Sequence, residues 1–349
     1  MLSFVYSDAY LKYFFGPSHP FQATREKMTF ELLKLLGVFG KHMELVQPAI
    51  ASEEDILSVH EKTYVEFVKK TVNGMLDYGD TPATPTLYEG ALWRVGGSLT
   101  AAKLAMGGKI SFNPGGGLHH SHRSVASGFC VFNDIAISVR YLQKQGFRRI
   151  AVIDVDGHHG DGTQSILNEE PVLKVSLHRY DGSFFPGTGR AEDIGEGEGI
   201  GYSVNVPLPK DCYDEAYMKA FNEIVLPVVC AYKPEIIINQ FGVDSHYGDP
   251  LVGMALTTKT YEKIAHSLRG LSKELCKSRL LVLGGGGYSK EDVARSWATV
   301  CLALSNAPKE LLDKVADTKE PKKPGWVMDD VEKSIKAVKK AVFPYHGLK

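Results

Sequence analysis

The stretch Arg149-Ile-Ala-Val-Ile153-Asp154-Val-Asp156-Gly-His158-His159-Gly-Asp161 decides the fold class. It opens on a short run of Ile, Val and Ala, of the kind that fills a strand buried on both faces. It then turns, without a spacer, into acidic residues, histidines and glycines. Asp154, Asp156 and His158 stand at i, i+2 and i+4, so an extended backbone would project all three to one face. Side chains spaced this way lie about 7 Å apart along a strand, close enough for two of them to converge on one ion. Gly157 allows a bend there at low steric cost.

The pattern recurs. Lys109–Phe112 leads into Asn-Pro-Gly115-Gly-Gly117-Leu-His119-His120, Glu235–Asn239 into Gln-Phe-Gly-Val-Asp244-Ser-His246, and Leu280–Leu283 into four glycines and Tyr288. A fifth apolar run is Leu173–Leu177. Helical patterns occupy Asn133–Gln145, Asp214–Ala231, Thr258–Ser278 and Lys290–Ser305. Short buried strands alternating with helices predict βαβ units and a parallel sheet covered on both faces. The first 95 residues read as mostly helical, as in Arg25–Leu36 and Glu53–Leu76. Four strands that deliver polar residues past their carboxyl ends point to one site at that edge, where open α/β sheets bind ligands.

Two carboxylates and an imidazole fit a divalent transition metal, zinc or ferrous iron. Asp156 and His158 need a third ligand from another strand, and Asp244 is the candidate. Three protein ligands leave positions open for water and substrate, as in a catalytic metal site. His119 and His120, on a glycine run, have the proton affinity for acid–base work near neutrality. Asp154 and Asp161 are available to accept their ring N–H groups and fix the tautomers. His122 reads as a loop residue. Tyr288, on what reads as a mobile glycine loop, is a hydrogen-bond donor for a developing oxyanion.

The bulk composition excludes several classes. The chain has 349 residues, a formal net charge of -1, 44% hydrophobic and 23% charged residues, as in ordinary globular proteins. Near-neutral charge argues against direct nucleic-acid binding. The five scattered cysteines form no C-x-x-C pair, which argues against a disulfide framework and fits a cytoplasmic protein with reduced thiols. No signal peptide and no membrane span is read. Asp317–Gly325 resembles a linker, and the segment from about 318 to 349 carries one amphipathic helix, Val327 to Val342, expected to pack on the main body of a single domain spanning 1–349.

Taken in order, these motifs resemble the histone deacetylase superfamily over about residues 15 to 305. The resemblance rests on His19-Pro20, NPGGGLHHS around His119, SGFCVFND from Ser127, IDVDGHHGDGT from Ile153, SLHRYDGSFFPGTG from Ser176, GVDSHYGDPL from Gly242 and LGGGGY ending at Tyr288. In pattern it is nearest the bacterial and archaeal acetoin-utilisation-type members, which are similar to the class I enzymes. It implies the arginase–deacetylase fold, a parallel sheet of about eight strands with helices on both faces. It implies zinc at Asp156, His158 and Asp244, with ferrous iron open on the ligand set. His120 is implied as general base and acid with Asp161 behind it, His119 as its electrostatic partner tuned by Asp154, and Tyr288 as the oxyanion donor. Gly128, Phe129, Phe185 and Leu251 match the lining of an acyl-lysine tunnel, Asp80 a rim carboxylate that holds the substrate backbone, and Arg25 an arginine near the acetate exit. A structural potassium site carries over to Asp154, Ser176 and the carbonyls of Asp156, His158 and Leu177. The implied reaction is hydrolysis of N-ε-acetyl-lysine in a protein or peptide. The alternatives are an acetylpolyamine amidohydrolase, a binuclear manganese ureohydrolase like arginase, and an inactive acyl-lysine binder. Oligomeric partners are not legible in the sequence.

Overall fold

The computed structural model describes all 349 residues. Its frame is one sheet of eight parallel strands: β1 (Leu2–Val5), β2 (Met43–Val46), β3 (Ile110–Asn113), β4 (Ile150–Asp154), β5 (Leu173–Arg179), β6 (Ser203–Leu208), β7 (Ile236–Gln240) and β8 (Leu280–Leu283). They lie side by side in the order β2-β1-β3-β8-β7-β4-β5-β6. Every pairing is parallel, including Ile150↔Ile236 between β4 and β7 and Ile237↔Leu280 between β7 and β8.

The apolar runs are continuous because both sheet faces are covered. Ala151 and Ile153 of β4 enter one apolar cluster, with Ile237 of β7 and Leu280 and Val282 of β8. Ile150, Val152, Ile236, Ile238, Leu281 and Leu283 enter the other. Successive side chains point to opposite faces, so each strand feeds two cores at once. Helices Thr258–Cys276 and Lys290–Leu304 bury Ile264, Leu268, Trp297 and Leu302 in the first cluster. Helices Leu87–Met106 and Asp134–Lys144 bury Val95, Ile135 and Val139 in the second. The helix Gly325–Val342 places Val327, Val331, Ile335, Val338 and Val342 in the first cluster. At about 1.5–3 kcal/mol for each such side chain, this burial holds the segment firmly to the body.

Five elements differ from the sequence expectation. The first 95 residues contain two strands, β1 and β2, each only four residues long. Neither is followed by the glycine-rich turn that marks the equally short β3 and β8. The expected helix Glu53–Leu76 is two helices, Glu53–Leu57 and Lys62–Lys70. The expected helix Asp214–Ala231 passes through a π-helical turn at Phe221–Val225, just before Pro227, whose missing N–H interrupts the ordinary ladder. β6 was also unread: its Asn205 and Pro207 are poor strand residues, but the edge position tolerates a proline. The longest helix, Leu87–Met106, carries three glycines that dilute its pattern.

Sheet order is what gathers the chemistry. The four strands whose ends carry polar residues, β3, β8, β7 and β4, are consecutive neighbours. Their following loops therefore meet over one stretch of sheet edge.

Candidate metal and acid–base site

β4 ends at Asp154, and the chain bends over Asp156–His158 rather than remaining extended. The bend separates the three residues. Asp154 turns to His119, while Asp156 and His158 face Asp244, beyond the end of β7. The ligand atoms of Asp156, His158 and Asp244 lie within 4.8 Å of one another, and all three residues are buried. His158 Nδ1 is 2.8 Å from Asp244 Oδ2 and 3.2 Å from Asp156 Oδ1.

The remaining lone pairs of the two carboxylates are occupied by fixed donors. Gln240 Nε2 and the Gly286 amide donate to Asp156 Oδ2, each at 2.7 Å, and the Gly157 amide donates to Asp244 Oδ1 at 2.6 Å. Outer partners of this kind orient ligand oxygens toward a common centre. A Cβ on Gly242 would sit 2.0 Å from Asp156 Oδ2, and one on Gly286 would sit 2.1 Å from Asp244 Oδ2. Only glycine fits at either place.

Two adjoining carboxylates out of water require a compensating cation. Burial and the neighbouring Asp156 charge push the Asp244 carboxyl up to about 7. Burial works against protonation of His158, but Asp244 and Asp156 more than reverse this and raise it to about 10. The two carboxylates thus draw a proton onto His158, and a divalent metal ion on the buried Asp-His-Asp set would supply that positive charge instead.

Beside this group stand the two histidines. His119 Nδ1 donates to Asp154 Oδ2 at 2.8 Å, and His120 Nδ1 donates to Asp161 Oδ1 at 2.6 Å. Their Nε2 atoms are 3.0 Å apart. Burial disfavours the charged form of both. The carboxylates of Asp154 and Asp156 overcome it at His119, which rises to about 9. At His120 burial is reinforced by the His119 charge, and it falls to about 4. These surroundings favour the charged form of His119 and the neutral form of His120, whose Nδ1 is engaged by Asp161.

The loop carrying the histidines is held by Asp134, which the sequence reading did not assign. This buried carboxylate accepts from the amides of Gly117 and Leu118 and from Ser98 Oγ. The signal was available, since an acid at a helix start after Asn133 is otherwise a solvated cap. The glycine loop before Tyr288, expected to be mobile, is hydrogen-bonded along its length. Besides the Gly286 bond, the Gly284 amide donates to Asn113 O at 2.9 Å, Arg25 Nη1 donates to Gly287 O at 2.7 Å, and the Tyr288 amide donates to Asp249 Oδ2 at 2.8 Å. Here glycines serve close approach, and Asp249 is a second anchor that spacing alone did not reveal.

The remaining candidate residues divide by position. The Tyr288 ring meets the Phe129 ring at 5.7 Å and the His158 ring at 6.5 Å. Phe185 lies 4.9 Å from the His120 ring, and Phe184, unassigned in the sequence, stacks on His158 at 5.1 Å. Gly128 backs directly onto His120, where a Cβ would lie 2.4 Å from Cδ2. Leu251 and Phe185 are each 40% exposed at the rim. Asp80, also at the rim, accepts from Thr81 Oγ1 at 2.9 Å, and burial together with Asp77 raises its carboxyl to about 6. Arg25 is buried and packs its guanidinium over Phe21 and Trp297. Asp154 and Ser176 are register partners on β4 and β5, and the Ser176 hydroxyl lies 2.9 Å from His178 Nδ1. Leu177 is the next residue of β5 and is buried.

This fold and this site define a class: a parallel-sheet enzyme with a candidate divalent-metal centre beside a histidine pair. Residues 19–304 match the histone deacetylase domain, and the chain belongs to the histone deacetylase family. Acetoin utilization protein AcuC of Bacillus subtilis (strain 168) is 38% identical over 315 residues, covering 86% of this chain and 81% of that protein. AcuC of Staphylococcus aureus (strain MSSA476) is 37% identical over 320 residues, covering 88% and 82%. Among solved structures, the HDA15 HD domain superposes with a TM-score of 0.86 at 26% identity, over 99% of this chain and 95% of that one. An HDAC homolog complexed with SAHA gives 0.85 at 27%, over 97% and 99%. The eight-stranded sheet is thus the arginase–deacetylase fold, and family membership supports a hydrolytic deacetylase activity. No helix is long and apolar enough to cross a membrane.

Proposed function

We propose that this protein hydrolyses the amide of N-ε-acetyl-lysine in a protein or peptide, releasing acetate and the free amine, with zinc held by Asp156, His158 and Asp244. The observation that carries the reading is a pair of adjacent buried histidines, each backed by its own carboxylate, beside a buried Asp-His-Asp set.

Zinc bound there supplies Lewis-acid polarisation of the amide carbonyl and of a water molecule. The protein's own groups do the rest. His120 Nε2 takes a proton from the attacking water and later returns one to the leaving amine. Asp161 holds the His120 ring by Nδ1 and keeps Nε2 as the basic atom. His119, backed by Asp154, stands beside His120 as its electrostatic partner where the oxyanion forms. The Tyr288 phenol donates to that oxygen. Phe129 and Phe185 wall the acyl-lysine chain with Gly128 and Leu251, Asp80 receives the substrate backbone, and Arg25 stands at the acetate exit. Excluding water strengthens each electrostatic contact. A structural potassium ion at Asp154, Ser176 and the carbonyls of Asp156, His158 and Leu177 belongs to the same reading, as do a single domain over 1–349 and a cytoplasmic location.

A binuclear arginase-like centre is disfavoured by His246. Its Nε2 donates to Asp317 Oδ2 at 2.9 Å and its Nδ1 accepts from the Gly248 amide at 3.1 Å, so neither ring nitrogen is free for a metal. One metal ion per chain is expected, and two tightly bound manganese ions would reverse this reading. Turnover of an acetyl-lysine peptide, but not of acetylspermidine, separates the protein from the polyamine reading. Tyr288→Phe is expected to lower kcat about 100- to 1000-fold while metal content stays unchanged; full activity in that variant would remove the role of Tyr288.

A further inference from the structure

The two carboxylates behind the histidines are held by different means. Asp154 gives Oδ2 to His119 and accepts the Asp156 amide on Oδ1 at 3.1 Å, so the main chain fixes it. Asp161 gives Oδ1 to His120. On its other oxygen stands one group, His122, whose Nε2 lies 3.3 Å from Oδ2. On that side Asp161 faces a cavity of about 730 Å³, lined also by His122, Arg123, His159, Gln164 and Thr188.

The placement of His122 is built, although the sequence shows only a loop. The flanking residue Ser121 donates its hydroxyl to Val131 O at 2.8 Å, and Arg123 Nη2 donates to Ile166 O at 3.1 Å. The second bond ties the loop to the end of the helix Asp161–Ile166, which begins with Asp161 itself. The His122 amide donates to Val125 O at 3.0 Å and closes the turn. The ring is thus delivered to Asp161 from a loop anchored on both sides, and its own side chain is 30% exposed.

We propose that His122 is a positioning residue for the reaction: from the solvent side it holds Asp161 Oδ2 and, through Asp161, fixes the ring of His120. This rests on the deacetylase reading above. A carboxylate bonded through one oxygen can swing about its Cα–Cβ and Cβ–Cγ bonds, and here the water of an open polar cavity competes for the other oxygen. His122 occupies that oxygen with a donor whose place is set by the backbone. Partners of this outer kind control the orientation of the groups that react.

The test uses the metal-loaded full chain and an acetyl-lysine peptide, with His122→Ala and His122→Gln beside the parent. In His122→Ala kcat should fall about tenfold or more, as for loss of an outer partner, while KM stays within about twofold and metal content is unchanged. Removing the ring opens a void onto the cavity, so imidazole from solution should restore kcat in a saturable way and leave the parent unaffected. His122→Gln, which keeps a neutral donor, should fall between alanine and parent. The proposal is overturned if His122→Ala keeps the parental kcat, if KM rises in step with the loss, or if imidazole restores nothing. A parent that does not turn over the peptide would instead sink the deacetylase reading and this proposal with it.

Discussion

The pairs His119–Asp154 and His120–Asp161 have the same chemistry and opposite surroundings. His119–Asp154 is sealed: both residues are buried, and the carboxylate is tied to the main chain at Asp156. His120–Asp161 has its carboxylate at the wall of a polar cavity, secured by one histidine. The difference extends to protons. The inner ring sees two carboxylates, Asp154 and Asp156, and holds its proton up to about 9. The outer ring sees burial and the positive charge of its twin, and gives its proton up at about 4. Identical residue types adjacent in sequence are thus shifted in opposite directions, because of what lies within a few ångströms of each.

The largest expected effect comes from exchanging the rings for neutral amides. His120→Gln should lower kcat/KM by about 10²- to 10⁴-fold, the range for loss of a general acid–base. His119→Gln should cost less, because it removes potential rather than the proton acceptor. Steady-state kinetics at saturating zinc compares the two, and a larger loss in His119→Gln would interchange the roles.

Two glycines allow a milder version. Gly128→Ala would place a Cβ 2.4 Å from His120 Cδ2 at a backbone φ of +53°, and Gly160→Ala would place one 2.5 Å from Asp154 Oδ2. Each carries strain of about 1–3 kcal/mol. Gly128→Ala should act mainly on kcat, since on the proposed reading His120 is the base. Gly160→Ala should act mainly on thermal stability, since it disturbs the sealed pair. Melting curves beside kcat values would separate them; equal effects on both quantities would end the distinction.

The smallest effect is read in the metal-free chain as stability against pH. His120 has its folded value lowered to about 4, so between pH 4 and its ordinary value near 6.5 only the unfolded chain binds that proton. Stability from this group is present above that range and lost as pH falls through it. His119 has its folded value raised to about 9, so its contribution is present below about 6.5 and lost as pH rises toward 9. Denaturant titrations across pH should show the acid-side slope weakened in His120→Gln and the alkaline-side slope weakened in His119→Gln. The same slopes in both variants would mean the rings share one environment.

The sequence determined more of this site than of the frame around it. Val and Ile runs followed at once by Asp, His and Gly mark strand ends that carry chemistry. Strands β1, β2 and β6 were not legible: β1 and β2 lack the glycine-rich turn that marks the equally short β3 and β8, and β6 carries Asn205 and Pro207, so pairing with a neighbour fixes them rather than pattern. The identity of the anchors was equally hidden. Asp134, Asp249 and Gln240 look like ordinary polar residues until the amides and carboxylate they serve are brought to them from distant positions.

By itself, then, the sequence set the residue types of a candidate metal and acid–base site, their placement after strands, and the resemblance that gave the fold. Only the tertiary structure decided that β3, β8, β7 and β4 are neighbours, that the Tyr288 loop is clamped, and that His122 reaches Asp161. The physical reason is range. Strand and turn propensities act over a few residues, whereas proton affinity and orientation depend on charges and donors within a few ångströms, whichever part of the chain supplies them.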